Sequence, residues 1–327
     1  MGTPCPYTTW IMTTRPKLVI GTRGSPLALA QAHEVRDRLI AAHSEFAEPG
    51  SIDIRIFTTT GDAIQNRTLA EIGGKGLFTK ELDEAMVAGT IDIAVHSMKD
   101  VATTLPPGID LPCILEREDP RDAFICHKAK TLADLPPGAV VGTAGLRRAA
   151  QVLHRYPHLK VVPLRGNVQT RLNKLGDGVV DATLLAIAGL NRLGMSQHAT
   201  DVLGVDTMLP AIAQGAIGVT CREDDLTCHH YLLPLIHGES SARVRCERAF
   251  LAALDGSCRT PIAGLAEVHG RDIVFRGMVL RPDGSEAVVV NHRGPLSNPV
   301  AIGEAAAADV RQQASSLLAE AVSAGKA

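Results

Sequence analysis

The chain has 327 residues, of which 45% are hydrophobic and 21% are charged, and its formal net charge is -2 at pH 7. This length exceeds one typical core and predicts two or three domains. The small net charge excludes a strong overall electrostatic attraction to nucleic acid or to a membrane surface. Any binding of anions by basic residues must therefore occur at a local cluster. No apolar run reaches the roughly 18 residues that indicate a transmembrane helix.

The cysteine pattern and the first residues predict a cytoplasmic protein. Seven cysteines are an odd number without a Cys-x-x-Cys pair, and a chain this large needs no disulfide framework. Residues 1–14 lack the basic start and apolar core of a signal peptide. We expect them to form a disordered extension, and both Met1 and Met12 stay open as the start.

The first segment of the chain begins with a strand and a helix. Residues 17–22 are an apolar run of strand type, and Ser25 followed by Pro26 is typical of a helix cap and first turn. This helix is predicted to reach residue 42. Arg23 therefore falls in a strand-to-helix loop.

The same alternation continues towards residue 100. Residues 52–58 predict a second strand, and residues 59–76, which are rich in glycine and polar side chains, predict a mobile loop. Residues 78–88 are amphipathic and end at Gly89, which predicts a helix. The resulting β-α-β-α-β order predicts an α/β lobe.

An apolar run at residues 91–101 ends in a polar cluster of His96, Ser97, Lys99 and Asp100. In open α/β sheets ligands bind outside the carboxyl ends of strands, so this cluster is predicted to face a cleft. The alternative interpretation is a solvated strand-to-helix turn in which Ser97 caps the helix. The segment alone favours this second interpretation.

A second α/β pattern follows a polar, proline-containing link at residues 116–122 and extends to about residue 209. Its predicted strands and helices are residues 140–142, 146–155, 160–164 and 168–175, followed by an apolar stretch at 182–190. Strand-to-helix turns of this pattern carry four arginines: Arg147, Arg148, Arg165 and Arg171. A return crossing at 209–211 would complete a hinge between two lobes.

The last part of the chain changes pattern. Residues 240–254 predict a helix whose apolar face includes Cys246, which is therefore predicted to be core. Three strands are predicted at residues 262–268, 273–280 and 287–292, with turn residues between them, and a closing helix at 301–324. Cys258 lies in the glycine-containing loop before the first of these strands. Next to Arg259 it is either a reactive thiol or a small buried side chain.

Several motifs resemble those of the porphobilinogen deaminase family, and they occur in the family's order over residues 17–325. They are HSMKD at 96–100, GTRGSPLA at 21–28, GGKGLF at 73–78, EDPRDA at 118–123, LRR at 146–148, LRGNV at 164–168 and GSC at 256–258. The resemblance implies the fold class α/β, with two periplasmic-binding-protein-like lobes, a two-strand hinge and a small C-terminal α+β domain with an antiparallel sheet. The expected domains are residues 15–115 with 216–236, residues 116–215, and residues 237–327.

The same resemblance implies a transferase that acts on porphobilinogen. It would deaminate four porphobilinogen molecules, join them head-to-tail on a covalently bound dipyrromethane, and release hydroxymethylbilane. The dipyrromethane would be held by a thioether to Cys258. The expected partner is the small-molecule substrate alone, with no nucleic acid or membrane, and the expected state is a monomer.

Individual site residues follow from the resemblance as expectations. Asp100 is the expected catalytic carboxylate, which would stabilise the azafulvenium cation left by loss of ammonia, and Lys75 and Phe78 belong to the expected lid. The expected cofactor-binding residues are Ser97, Lys99, Arg147, Arg148, Arg165 and Arg171, and the expected substrate-binding residues are Arg23, Ser25 and Gln214. For any one arginine taken alone, a surface ion pair or a snorkelling side chain stays an alternative.

The chain departs from the family pattern at two places. Ala144 and Gly145 stand where two serines often precede Leu-Arg-Arg, and Ala102 stands where proline is usual. Without the two serines, the family's hydroxyl contacts to cofactor carboxylates are not expected here. The arginines and the backbone N–H groups at the helix N-terminus can still bind those carboxylates.

A metal site and a binding protein without catalysis are the two alternatives to the transferase. Cys228, His229 and His230 have no further clustered ligands, so no metal site is predicted. A two-lobed small-molecule binding protein without catalysis is the alternative function, because the same two lobes would support it. Such a protein would not need Cys258.

Overall fold

The computed structural model describes residues 18–63, 76–256 and 260–326. The expected extension at residues 1–14, the lid residue Lys75 and the loop residue Cys258 lie outside these ranges. Strands of the described chain are β1 (Leu18–Arg23), β2 (Ile52–Phe57), β3 (Ile93–Ser97), β4 (Ile109–Ile114), β5 (Asp122–Cys126), β6 (Val140–Gly142), β7 (Lys160–Val162), β8 (Ala182–Ala186), β9 (Asp201–Val202), β10 (Ile217–Arg222), β11 (Ile262–His269), β12 (Asp272–Leu280) and β13 (Ala287–Pro295).

Helices connect and cover these strands. They are α1 (Pro26–Ala42), α2 (Thr60–Ala63), α3 (Lys80–Val87), α4 (Leu146–Arg155), α5 (Val168–Gly176), α6 (Ile187–Arg192), α7 (Leu226–Leu232), α8 (Gly238–Ala253), α9 (Pro299–Gln313) and α10 (Ser315–Lys326). As predicted, Ser25 caps α1, since its Oγ accepts a hydrogen bond from the Ala28 amide at 3.2 Å. Pro26 occupies the first turn, where its missing N–H costs no helical hydrogen bond.

The first lobe is built on a five-stranded sheet in the order β2-β1-β3-β10-β4. β1 pairs in parallel with β2 and β3, whereas β10 runs antiparallel to β3 and β4. β10 therefore completes the first sheet, as expected, although it comes about a hundred residues after β4 in sequence. Residues of α1 such as Val35 and Leu39 are buried against Ile20 and Val95 of this sheet.

The second lobe repeats the same arrangement in the order β7-β6-β8-β5-β9. β6 pairs in parallel with β7 and β8, and β5 runs antiparallel to β8 and β9. In each sheet the fourth strand follows a crossing from the other lobe. The sequence pattern did not predict β4, β5 or β9, so the mixed strand direction is a structural finding.

Two crossings, at about residues 115–121 and 209–216, connect the lobes side by side. The Leu115 amide donates to the Ile217 carbonyl oxygen at 3.1 Å. This hydrogen bond joins the two crossings where they meet the first lobe. Gly215 has a φ of +88°, and a Cβ there would lie 2.5 Å from the Glu118 carbonyl oxygen. Only glycine satisfies both conditions, so the predicted hinge is a tightly fitted pair of segments.

The C-terminal part packs α8 and α9 on the antiparallel sheet β11-β12-β13. Phe250 and Phe275 lie at the centre of its core with ring centroids 4.9 Å apart, and Cys246 is fully buried, as predicted. The same core includes Met98 and Ile212, so it is continuous with the first lobe and the second crossing. The predicted fold class is confirmed.

The single closing helix predicted at 301–324 is wrong in one respect. Two helices occupy this region, and Ala314 between them has φ -148° and ψ 48°. Ala314 and Leu317 are buried in the core of the C-terminal part. Tertiary packing therefore bends a stretch whose alanine-rich composition favours one continuous helix.

Candidate active site

A cavity of about 800 Å³ lies between the lobes, next to the second crossing. Every expected site residue within the described ranges lines it. They are Arg23, Ser25, Phe78, Ser97, Lys99, Asp100, Arg147, Arg148, Arg165, Arg171 and Gln214. Six of these side chains are cationic, and Asp100 is the one carboxylate among the described lining residues. The structure thus brings together residues that are distant in sequence.

The turn that carries Asp100 is fixed by the sheet. β3 ends at Ser97, and Met98–Asp100 form a single 3₁₀ turn rather than a longer helix. The Met98 amide donates to the Ala216 carbonyl oxygen at 3.0 Å. The Met98 side chain fills the space beside Gly218, which has no Cβ. Ser97 makes no capping hydrogen bond and instead donates to Gln31 Oε1 at 3.0 Å. The cap interpretation of Ser97 is therefore wrong, and the cleft interpretation of this segment is confirmed.

His96, at the end of β3, and Lys99, within this turn, both have a lowered pKa. Burial and the nearby Arg23 lower the pKa of His96 to about 4, so its ring is neutral at pH 7, and its Nε2 lies 3.0 Å from Thr220 Oγ1. Burial also lowers the pKa of Lys99 to about 8, with Asp100 opposing the change and Arg148 adding to it. Lys99 therefore remains largely protonated at pH 7.

Arg23 lies between Asp100 and Phe78. Its Nη1 atom is 3.8 Å from Asp100 Oδ2, and its Cζ atom lies 4.2 Å from the centroid of the Phe78 ring. A guanidinium over an aromatic face is a favourable cation–π contact. Phe78 and Asp100 thus both contact the Arg23 guanidinium at the wall of the cavity.

Arg147 and Arg148 open α4 and share one buried partner, Asp122. Arg147 Nη1 donates to Asp122 Oδ2 at 2.7 Å, and Arg148 Nη2 donates to Asp122 Oδ1 at 2.7 Å. Burial alone would raise the pKa of Asp122, but the two guanidinium groups outweigh it and hold the pKa well below its usual range. Asp122 was missed as a site residue, because its role depends on β5 lying beside β8.

Gln214 joins the same network from the second crossing. Its side-chain amide donates to the Pro120 carbonyl oxygen at 2.7 Å and to Asp122 Oδ1 at 2.9 Å, and the residue is almost fully buried. Asp122 thus connects α4 with the second crossing.

Arg165, in the turn before α5, and Arg171, in the first half of α5, border the cavity. Arg171 Nε donates to the Gly166 carbonyl oxygen at 2.8 Å, and Lys174 Nζ donates to the Arg165 carbonyl oxygen at 3.1 Å. Burial lowers the pKa of Arg171 to about 10, with Arg148 and Arg165 adding to the effect. Mutual repulsion of these cations is an electrostatic cost that an anionic ligand would remove.

The two ends of the loop that contains Cys258 reach the same cavity. Leu251, Thr260 and Ile262 line it, and Gly256 packs so closely that a Cβ would lie 2.5 Å from Leu251 Cδ1. A cavity rich in cations, lined by described residues on both sides of this segment, fits a polycarboxylate ligand. The described residues contain no group of three or more metal-ligating side chains that could hold a metal ion. Among the described helices, none has the length and apolar composition needed to cross a membrane.

Fold and site together define a two-lobed protein that binds an anionic small molecule in a cationic cleft. Two family models match: "Porphobilinogen deaminase, dipyromethane cofactor binding domain" over residues 18–230, and "Porphobilinogen deaminase, C-terminal domain" over residues 241–312. The chain therefore belongs to the porphobilinogen deaminase family. The predicted family, transferase activity and dipyrromethane cofactor are confirmed, and the non-catalytic binding protein is not supported.

Curated relatives agree with this result along most of the chain. The chloroplastic porphobilinogen deaminase of Oryza sativa subsp. japonica is 61% identical over 278 residues, which cover 84% of this chain and 77% of the relative. Porphobilinogen deaminase of Nitrobacter winogradskyi is 54% identical over 295 residues, covering 90% and 93%. A solved structure of the methionine binding protein MetQ matches with a TM-score of 0.43 at 12% identity, covering 67% of this chain and 89% of that one.

Proposed function

We propose that this chain deaminates porphobilinogen and joins four molecules head-to-tail into hydroxymethylbilane at the cleft between its lobes. The observation that carries the proposal is the single carboxylate of Asp100 among six cationic side chains in the described cavity wall. Porphobilinogen itself carries two carboxylates and an aminomethyl group that leaves as ammonia. The cavity thus offers cations for the carboxylates and one anion for the charge that the reaction creates.

Asp100 is proposed as the catalytic group. When the C–N bond of the substrate breaks, the electron pair leaves with ammonia and the pyrrole becomes a planar azafulvenium cation. A fixed carboxylate in a cleft of low dielectric stabilises that charge and accepts the pyrrole N–H hydrogen bond. Arg23 Nη1 lies 3.8 Å from Asp100 Oδ2, so this ion pair helps to orient the carboxylate in the cleft.

The cationic side chains are proposed to bind and orient carboxylates. Arg23 and Ser25 lie at the start of α1 and face the incoming substrate, with Gln214 on the adjoining crossing. Lys99 from the first lobe and Arg147, Arg165 and Arg171 from the second lobe line the cavity. These four cations are proposed to bind the cofactor carboxylates. Each charge-assisted hydrogen bond to a guanidinium contributes roughly 1.5–3 kcal/mol net, so several such contacts are enough to hold a polycarboxylate.

Arg148 differs from Arg147 in how many of its N–H groups are bound by the protein. Its Nε and Nη2 atoms donate to Asp122, and Nη1 donates to the Leu184 carbonyl oxygen at 3.0 Å. Among the described residues, Arg147 hydrogen-bonds through Nη1 alone, to Asp122 and to the Leu209 carbonyl oxygen. Arg147 therefore presents more N–H groups to a ligand, and Arg148 chiefly anchors the pair.

A thioether on Cys258 is the proposed attachment of the dipyrromethane, which when bound supplies the free α-carbon to which the first substrate is joined. The flanking residues Leu251 and Thr260 support this placement because they line the cavity. Domain boundaries at residues 15–115 with 216–236, 116–215 and 237–327 agree with the three sheets. A cytoplasmic monomer with porphobilinogen as its sole partner completes the proposal.

Two measurements test this function. Purified protein incubated with porphobilinogen should release one ammonia per substrate consumed and one hydroxymethylbilane per four substrates. Its intact mass under denaturing conditions should exceed the sequence mass by one dipyrromethane. Cys258→Ala should lack this added mass, whereas Cys246→Ala, a change at a fully buried core position, should keep it. An unmodified protein with full activity would contradict the thioether assignment.

A further inference from the structure

The guanidinium of Arg248, on the inner side of α8, is bound to the segment that directly follows Asp100. Its Nη1 donates to the Val101 carbonyl oxygen at 3.0 Å, and its Nη2 donates to the carbonyl oxygens of Ala102 at 2.6 Å and Thr103 at 3.3 Å. Three successive main-chain acceptors are thus gathered by one side chain. No sequence motif assigned a role to this arginine.

This contact is unusual for a buried cation. Burial lowers the pKa of Arg248 to about 10. Within the described part of the chain its hydrogen bonds go to carbonyl oxygens and none goes to a carboxylate. Removing a charge from water is costly, and neutral carbonyl groups compensate less than a carboxylate does. These hydrogen bonds are therefore expected to contribute little to the free energy of unfolding. Their value would instead be to hold residues 101–103 in a fixed position.

The bound segment has little structure of its own. Residues 101–107 form bends and a turn without a helix or strand, and the Val101 amide makes only a 3.2 Å hydrogen bond to the Met98 carbonyl oxygen. On the other side of Asp100, the Met98 amide is held by Ala216. Arg248 therefore fastens the main chain directly after Asp100, where the Val101 side chain is also buried in the core.

Helix α8 also leads to the loop that contains Cys258, since it ends at Ala253 and Gly256 follows three residues later. One helix thus binds the segment that follows Asp100 through Arg248, and it ends three residues before Gly256. We propose that Arg248 is a positioning residue that fixes the Asp100 carboxylate relative to the end of α8. This inference rests on the proposed function, because it assigns Arg248 a part in the placement of that catalytic group.

The chain offers a matched control on the same helix. Arg243 is also half-buried, and its Nε donates to the Ala266 carbonyl oxygen at 2.8 Å. That acceptor lies on β11 of the C-terminal part and not beside Asp100. Arg243→Met removes this main-chain contact, together with an ion pair to Glu239 at 3.7 Å, without touching the catalytic turn.

The test compares Arg248→Met, Arg248→Lys and Arg243→Met as loaded enzymes whose cofactor content is verified by intact mass. We expect Arg248→Met to lower kcat by at least about tenfold while KM changes less than about threefold, because the carboxylate is displaced and the binding cations are not. Amide hydrogen exchange at residues 98–105 should rise at least about tenfold. Arg248→Lys should recover part of kcat, and Arg243→Met should change neither quantity.

Three results would overturn the inference. They are wild-type kcat in Arg248→Met, the same kcat loss in Arg243→Met, or a kcat loss without faster exchange at residues 98–105. If Arg248→Met does not fold, Arg248→Gln replaces it, since wild-type kcat and exchange in that variant would refute the role. If the wild-type chain does not turn over porphobilinogen, the proposed function fails, and the exchange comparison still tests whether Arg248 holds the turn.

Discussion

Two nitrogen atoms of Arg148, Nε and Nη2, donate to the same oxygen of Asp122, at 3.1 and 2.7 Å. The second oxygen of Asp122 accepts from Arg147. One buried carboxylate thus sets the separation of two guanidinium groups at the wall of the cleft. The electrostatic character of this wall depends on a residue that does not itself line the cavity.

Asp122→Asn should destabilise the protein strongly. The change leaves two buried guanidinium groups without a counter-charge, and breaking a buried ion pair from one side costs about 3–5 kcal/mol. Asp119→Asn is the matched control, because Asp119 pairs with the half-exposed Arg121 and its loss should cost no more than about 1 kcal/mol. The measurement is the free energy of unfolding in denaturant. Equal small losses in both variants would show that the buried pair carries no special weight.

Asp100→Asn should separate charge stabilisation from binding. The amide keeps the shape and hydrogen-bonding capacity of the side chain but removes the charge, so turnover should fall at least about 10²-fold with a smaller effect on substrate affinity. Ser97→Ala serves as the control, since its hydroxyl makes a neutral hydrogen bond to Gln31 and its loss should cost less than about tenfold. Near-normal turnover in Asp100→Asn would remove the carboxylate from the mechanism.

The turn before α4 tests whether hydroxyl groups or cations hold the ligand. Gly145 has a φ of -90°, and a Cβ there would meet nothing closer than Thr143 Oγ1 at 3.9 Å, so a side chain is sterically tolerated. We expect Ala144→Ser with Gly145→Ser to change activity only modestly, because a neutral hydrogen bond contributes about 0.5–1.5 kcal/mol. Arg148→Leu should instead block cofactor assembly or chain growth.

Activity assays of both variants decide this ranking, with Gly145→Ala as the control for the added Cβ. Structure adds a second reason for the Arg148→Leu defect, since this change also removes a partner of the buried Asp122. A many-fold gain in the double serine variant together with near-wild-type activity in Arg148→Leu would reverse the ranking of cations over hydroxyls.

Asp83 gives a prediction about pH. Burial raises the pKa of this carboxyl group on α3 to about 6, and the nearby Glu81 and Glu84 add to the rise. The folded state therefore binds the proton more tightly than the unfolded state, and this contribution to stability is lost as pH rises through about 6. The difference between the ordinary pKa of 3.8 and a pKa of about 6 in the folded state corresponds to about 3 kcal/mol of unfolding free energy.

Asp83→Asn should accordingly raise the free energy of unfolding by up to about 3 kcal/mol at pH 8 and leave it nearly unchanged at pH 3.5. Unfolding in denaturant at a series of pH values measures the difference between variant and wild type. A stability gain that is the same at both pH values would rule out burial of the charge as its cause.

Local signals explain what the sequence predicted well. The start of α1 at Pro26 and its end at Ala42 follow from a cap, a proline and apolar periodicity within one segment. The bounds of α4, Leu146–Arg155, were also predicted to the residue. The cations were placed at strand-to-helix turns by the same local patterns, and the structure puts those turns around one cavity.

Contacts between distant segments explain what the sequence did not predict. β5 has five residues, and it is a strand because β8 and β9 lie beside it. The pairing of Asp122 with two arginines depends on that placement. The contact of Arg248 with residues 101–103 joins positions about 145 residues apart. No periodicity within either segment could indicate it.

The position of β10 has a consequence for synthesis on the ribosome. The first sheet lacks its fourth strand until residue 222 has been made, whereas the described strands of the second sheet all lie between residues 122 and 202. The lobe that comes second in sequence is thus the first whose sheet can be completed. Until β10 arrives, β3 and β4 present unpaired edges, and exposed edges of this kind favour aggregation. A nascent chain stalled between these two points would be the form most in need of a chaperone.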